Sequence, residues 1–168
     1  EGGGAIALER TMPTPIPTHA PPFGNLSHNW DITLLIKPVP IDQYPGQYDY
    51  IAEVSYGARS QTFEKLYLND AVFRQKSKNY DTRLTTSSAI GALGAVYTFR
   101  ATDGTLAVFR PIVAGECVKA PTAYQCAFVS YIIEPDGTRF DFQYETTTAS
   151  VTNKTRLRSV TSSRGLAL

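Results

Sequence analysis

Few residues of this chain are of types able to do chemistry, and their spacing decides what that chemistry is. Cys117 and Cys126 flank the segment 118–125, which contains Pro121. An even cysteine count with that spacing fits one disulfide closing a loop between strands; buried free thiols are the other reading. A zinc centre needs about four converging ligands, or three and a water. His19 and His28 lie far upstream of the cysteines, so no metal site is expected. Ser27, His28 and Asp31 have the residue types of a nucleophilic triad, but they are sequence neighbours, and triads converge from distant segments. Glu53, Glu64, Asp141 and Glu145 are candidates for a glycosidase pair. Such a pair must face across a cleft, and exposed strand faces supply the same carboxylates with no function. There is no Gly-x-Ser-x-Gly elbow and no phosphate loop. The expectation is a protein that is not an enzyme and uses no cofactor.

The elements that carry these residues read as strands. The 168 residues are 42% hydrophobic, 18% charged and 11% aromatic, with 12 Gly and 11 Pro. That composition can bury a core and suits strands separated by turns. In 48–56, Tyr48, Tyr50, Ala52, Val54 and Tyr56 share one face against Asp49, Glu53 and Ser55, with Ile51 the exception. In 139–145, Phe140, Phe142 and Tyr144 alternate with Arg139, Asp141, Gln143 and Glu145. Period-two alternation of this kind marks strands wet on one side. No run reads at helical spacing, and the small, Gly-broken stretch from Ser87 to Gly94 reads as a loop.

Two hairpins repeat at an offset of 33, centred on Asp103-Gly104-Thr105 and Asp136-Gly137-Thr138. Asp-Gly between alternating segments is a strong hairpin signal, because tight turns require positive φ. Two-residue turns predict Phe99 opposite Val108 and Ala101 opposite Leu106. In the second hairpin they predict Glu134 opposite Arg139, Ile133 opposite Phe140, Tyr131 opposite Phe142 and Val129 opposite Tyr144. Pro135 supports a three-residue loop instead, pairing Glu134 with Thr138. The two-residue form is slightly preferred.

The domain organisation predicted is an extended N-terminal strand and proline-rich arm, residues 1–22, before an antiparallel β domain, residues 23–168. Pro13, Pro15, Pro17, Pro21 and Pro22 keep the arm extended and out of a sheet interior. Sixteen basic against 15 acidic residues leave a net charge of +1, which argues against a nucleic-acid partner. Lys154, Arg156, Arg158 and Arg164 read as the solvated face of a strand. No apolar run approaches the roughly 18 residues of a membrane helix, so no membrane span is expected.

The order of several segments resembles the opening region of bacterial Rhs/YD-repeat proteins. Leu8-Glu9-Arg10-Thr11 stands as an opening strand, and Phe23-Gly24-Asn25-Leu26-Ser27-His28-Asn29-Trp30-Asp31-Ile32 is similar to the family's Gly-Trp-Ser-His-Asn-Tyr-Asp-Ile type of segment. Val54 to Phe63, Tyr97 to Phe109 and Tyr131 to Tyr144 follow in order. Arg156-Leu157-Arg158-Ser159-Val160-Thr161-Ser162-Ser163-Arg164-Gly165 is similar to the family's Gly-Arg-Leu-x-Ser-Val-Thr-x-x-x-Gly repeat. Tyr-Asp occurs at Tyr48-Asp49 and Tyr80-Asp81 but not before Arg156. The resemblance implies an all-β antiparallel sheet of successive hairpins, Rhs/YD-repeat-like or β-sandwich-like, and an extracellular or cell-surface scaffold. Its expected partner is itself, assembling head-to-tail through exposed strands with Ala5 to Thr11 as the added strand, or the rest of a larger Rhs-like polypeptide. Pairing of Ala5 to Thr11 within its own chain is the alternative. The other function class is an adhesin module that binds carbohydrate or protein through Tyr44, Tyr48, Tyr50, Tyr56 and Tyr67.

Overall fold

The computed structural model describes residues 10–11, 27–28, 32–40, 48–56, 59–65, 71–76, 81–90, 92, 94–111, 125–147, 154–165 and 167. Among these residues every regular element is a strand. In chain order they are β1 (Arg10–Thr11), β2 (Ser27–His28), β3 (Ile32–Pro40), β4 (Tyr48–Tyr56), β5 (Arg59–Lys65) and β6 (Val72–Gln75). There follow β7 (Arg83–Thr86), β8 (Tyr97–Arg100), β9 (Leu106–Pro111), β10 (Gln125–Ile133), β11 (Arg139–Thr147) and β12 (Lys154–Ser162).

Strands β3 to β10 pair antiparallel in sequence order, and β10 then returns to β3. The result is a closed barrel of eight strands. The all-β antiparallel class expected from the sequence is the one formed, but the β-sandwich-like form is not. The cause lies in β10, which pairs β9 along one edge and β3 through Gln125–Phe128 on the other. Full closure is one way an all-β chain removes its open edges.

Alternation aims the core inward. On β4, Ala52 and Val54 are fully buried while Asp49, Glu53 and Ser55 alternate with them. Leu34, Ile36, Phe63, Phe73, Leu84, Tyr97, Phe99 and Phe109 point the same way from their own strands. Phe63 of β5 meets Phe99 of β8 edge-on, ring centroids 6.0 Å apart, and Phe73 meets Tyr97 at 6.5 Å. Side chains from strands that are not neighbours therefore meet in the interior, as eight-strand barrels permit. Lys65 is inside too, 1% exposed, with its ammonium 5.4 Å from the Phe73 ring centroid. Apolar inside and charged outside is the reverse of a membrane barrel. No helix among the described residues is long and apolar enough to cross a membrane.

The expected loop from Ser87 to Gly94 bridges β7 and β8 and lays Ile90 and Ala92 against the core. Thr86 donates its hydroxyl to the Ser88 carbonyl at 2.8 Å, and Val96 donates its N–H to Ser87 Oγ at 3.0 Å. These side-chain bonds add to backbone bonds of the segment, among them Ser87 N–H to the Val96 carbonyl at 2.9 Å and Ala95 N–H to the Ala92 carbonyl at 2.9 Å.

A bulge in β10 makes the rest possible. Val129 opposes Phe109 and Tyr131 opposes Val108, so Ser130 is the extra residue. Beyond it the inward residue is Ile132 instead of an odd-numbered one. The same stretch, Tyr131 to Ile133, pairs β11 on the edge that Gln125–Phe128 give to β3. From Phe142 onward β11 therefore leaves β10 and, with β12, lies over the outside of the wall. Tyr144 stacks on the outward ring of Phe128, centroids 4.9 Å apart and planes 12° apart. Phe142, Leu157 and Val160 are buried on the same face of this flap, and Thr33 beneath it is 2% exposed. Each large apolar side chain so buried contributes about 1.5–3 kcal/mol.

Both Asp-Gly hairpins close one residue later than preferred from sequence. Tyr97 opposes Phe109, Phe99 opposes Ala107 and Arg100 opposes Leu106. Ala101 N–H donates to the Thr105 carbonyl at 2.8 Å, and Gly104 N–H to the Ala101 carbonyl at 3.1 Å. The second hairpin repeats this with Glu134, Thr138 and Gly137, both bonds at 2.9 Å. Tyr131 consequently opposes Asp141, Ile132 opposes Phe140 and Ile133 opposes Arg139. The loops are three residues long, a type I turn followed by glycine as the bulge. Only the glycines take positive φ, 93° at Gly104 and 81° at Gly137. A two-residue type I′ turn would force aspartate there as well, and no non-glycine residue among those described does so.

Candidate functional site

The preferred turn residues all lie at one end of the barrel. Leu106, which opens β9, opposes Ile133, which closes β10, so the turns at Asp103-Gly104 and Asp136-Gly137 are neighbours. A third turn joins them, because Phe140 opposes Ser162 at the end of β12. There Gly165 has φ 82° and donates its N–H to the Ser162 carbonyl at 3.0 Å. Asp103 accepts the Thr105 N–H and Asp136 the Thr138 N–H, each at 2.8 Å. Those bonds hold both carboxyls below the usual aspartate range, with Arg164 adding to the effect at Asp136.

Side chains stitch the second and third turns together. Arg164 pairs with Asp136 at 2.5 Å, and Arg139 N–H donates to Ser163 Oγ at 3.1 Å. Arg139 also grips Asp141 at 2.6 Å and lies 4.0 Å from the Tyr131 ring centroid. Hydrogen bonding to Asp141 raises the Arg139 pKa above its usual range. Arg164 is thus a turn clamp, where the sequence reading placed it on a solvated strand face.

The edge of β12 follows from this corner. The barrel closes on itself, and β12 ends the sheet order with a neighbour, β11, on one side only. Its exposed Arg158 is the extra residue of a bulge, since Gln143 opposes Ser159 and Tyr144 opposes Leu157. A cation and a bulge both discourage strand addition. At the other end of the same strand, Thr161 already bridges antiparallel to Ala167 across the third turn. The sequence shows the Ser-Ser-Arg-Gly run as a turn signal, but nothing local marks β11 and β12 as the strands left outside the barrel.

Among the described residues, the remaining candidates form no catalytic or metal-binding cluster. Glu53 and Glu64 stand on the outer wall, and Glu64 pairs with Lys76 at 3.0 Å. Asp141 is held by Arg139, and Glu145 lies on β11 with Thr146 and Thr147 beyond it. Ser27 and His28 are successive residues of β2, while Asp31 and His19 lie outside the described residues. Among the described residues no three metal-binding side chains cluster. Cys126 is 6% exposed and no described cysteine is free; Cys117 lies outside the described residues. Tyr44 and Tyr67 lie outside them too, and Tyr50 packs against the core. Of the arm, Arg10 and Thr11 pair with His28 and Ser27 of their own chain, the intrachain alternative for those two residues. In comparisons with known proteins, no family model, curated protein or solved structure matches the chain.

Proposed function

We propose that this protein is a non-catalytic structural β scaffold of the extracellular or cell-surface kind, whose barrel is a module extended by strand addition at the flap. One observation carries the reading: the C-terminal half of the β12 edge accepts a strand, as the Thr161–Ala167 bridge illustrates. The N–H and C=O groups on the side of β12 away from β11 are a template for a further strand. A second copy fills it head-to-tail, or the following strand of a larger Rhs-like polypeptide does so. The order of hairpins supports that kinship, and the two Asp-Gly hairpins use the same three-residue turn at the same end.

Particle mass and hydrogen exchange test it together. Light scattering is expected to give multiples of 18.4 kDa that grow with concentration, and the β12 amides gain protection as they grow. A particle of monomer mass at every concentration, with β12 edge amides exchanging freely, rules out self-assembly through this edge.

A further inference from the structure

The barrel's outer wall carries a feature that scaffold assembly does not use. Arg83 of β7 and Arg100 of β8 are register partners. Phe73 opposite Leu84 sets Arg74 of β6 beside Arg83 in the same row. All three are exposed, and all alternate with inward residues: Phe73, Leu84 and Phe99. Three arginine side chains therefore leave three adjacent strands in one row, their backbone positions at the inter-strand spacing of about 4.8 Å. Like charges directly opposed across strands are unfavourable, yet none of the three is in an ion pair.

The nearest acids do not relieve the row. Glu64 opposes Arg74 but is bonded to Lys76 at 3.0 Å. Asp103 spends its carboxylate on the Thr105 N–H. Asp81 is exposed at the rim, two positions before Arg83, without an ion pair. Next along the strands runs a second outward row, Val72, Thr85 and Thr98, whose members are register neighbours.

We propose that the Arg74–Arg83–Arg100 row binds an acidic polysaccharide, a chain bearing one carboxylate or sulfate per sugar unit. Guanidinium groups grip such anions in two-point fashion, and a line of them matches a linear array of charges. Threonine hydroxyls beside the row suit sugar hydroxyls. The outward residues of β6 to β8 include no aromatic ring, so the stacking platform of a single-stranded nucleic-acid site is missing. Val72, at 38%, is the exposed large hydrophobic of this wall, too little for the apolar centre of a protein interface.

Calorimetric titration with an oligogalacturonate, a neutral glucan and a single-stranded oligonucleotide tests the assignment. The uronate is expected to bind at low salt and the glucan not to bind. The double variant R83Q/R100Q loses two charge-assisted contacts, so binding weakens roughly tenfold or more. R110Q, an exposed arginine of β9 outside the row, leaves it unchanged. The thermal midpoint of the double variant checks that it folds, and single R83Q repeats the test if it does not. Absent uronate binding, undiminished binding by R83Q/R100Q, or tighter row-dependent binding of the oligonucleotide each overturns the proposal. So does a fall in particle mass on removing the row, which would place acidic residues of a second copy there.

Discussion

Replacing Thr102 by proline separates the two turn geometries that the Asp-Gly sequence allows. In the three-residue loop Thr102 is the first central residue of a type I turn, where proline is favoured because its φ is already right. Pro135 holds the equivalent place in the sister turn, with Glu134 N–H bonded to the Thr138 carbonyl at 2.9 Å across it. Ala101 makes the same bond to Thr105 at 2.8 Å, so the residue before the new proline already has the extended backbone that proline demands. Thr102 is exposed, and its N–H makes no backbone bond. The substitution then acts by restricting the unfolded chain, a gain of about 0.4–1 kcal/mol. In a domain of this size that raises the thermal midpoint by about 1–4 °C. In the two-residue loop Thr102 would instead pair with Thr105, and proline would cost a ladder bond of about 1–3 kcal/mol. Urea titration of T102P, with T102A as the control for the lost hydroxyl and methyl, decides between them. An unfolding free energy below that of T102A by more than about 1 kcal/mol refutes the turn geometry.

Two further outcomes follow from the same chemistry. Asp103 and Asp136 have folded pKa values held below the ordinary 3.8, so their contribution is present above that value and is lost as pH falls through the lower folded value. Asparagine keeps an acceptor for the Thr105 and Thr138 N–H but cannot titrate. The double variant D103N/D136N should therefore show a flatter loss of stability between about pH 5 and pH 2, and a slope equal to wild type disproves the assignment. For Cys126 the proposal is a link to Cys117 that closes a loop and contributes about 2–3 kcal/mol. Intact mass should rise by about 2 Da on reduction, and two thiols alkylated in the native protein would exclude it.

What the sequence disclosed and concealed divides along local and non-local lines. Ala52, Val54 and Phe142 are buried and Asp49, Glu53 and Gln143 are not, so strand faces could be read from alternation alone. The turn positions were legible because Gly104 and Gly137 need positive φ. Their loop length was not, since Asp-Gly serves two geometries; Pro135 was the local cue that favoured the one formed. Closure was hidden because it rests on Gln125–Phe128 pairing with Thr33–Ile36, a match of distant segments with no motif of its own. The bulge at Ser130 switches the inward face from Val129 to Ile132, and no alternation pattern announces where such a switch falls. Lys65 shares the inward face of Phe63 on β5, and a charged residue at such a place reads first as a strand end, not as part of a core.

A net charge of +1 describes the chain as a whole and misses how the barrel distributes it. Asp49 and Glu53 point outward from β4, while Arg83 and Arg100 point outward from β7 and β8. In the closed order β10-β3-β4-β5-β6-β7-β8-β9, β4 and β8 are four strands apart in either direction, on opposite sides of the barrel. Among the described residues, Asp49 and Glu53 therefore stand on the opposite side of the barrel from Arg83 and Arg100, with Lys37 of β3 beside the two acids. A row of exposed like charges such as the arginines acts on a charged partner before contact and is screened beyond about 10 Å at 0.1 M salt. The core takes no part in this, because the arginines alternate with Phe73, Leu84 and Phe99, which face inward. Recognition on the outer wall and stability inside it are consequently separable by single substitutions on the same strands.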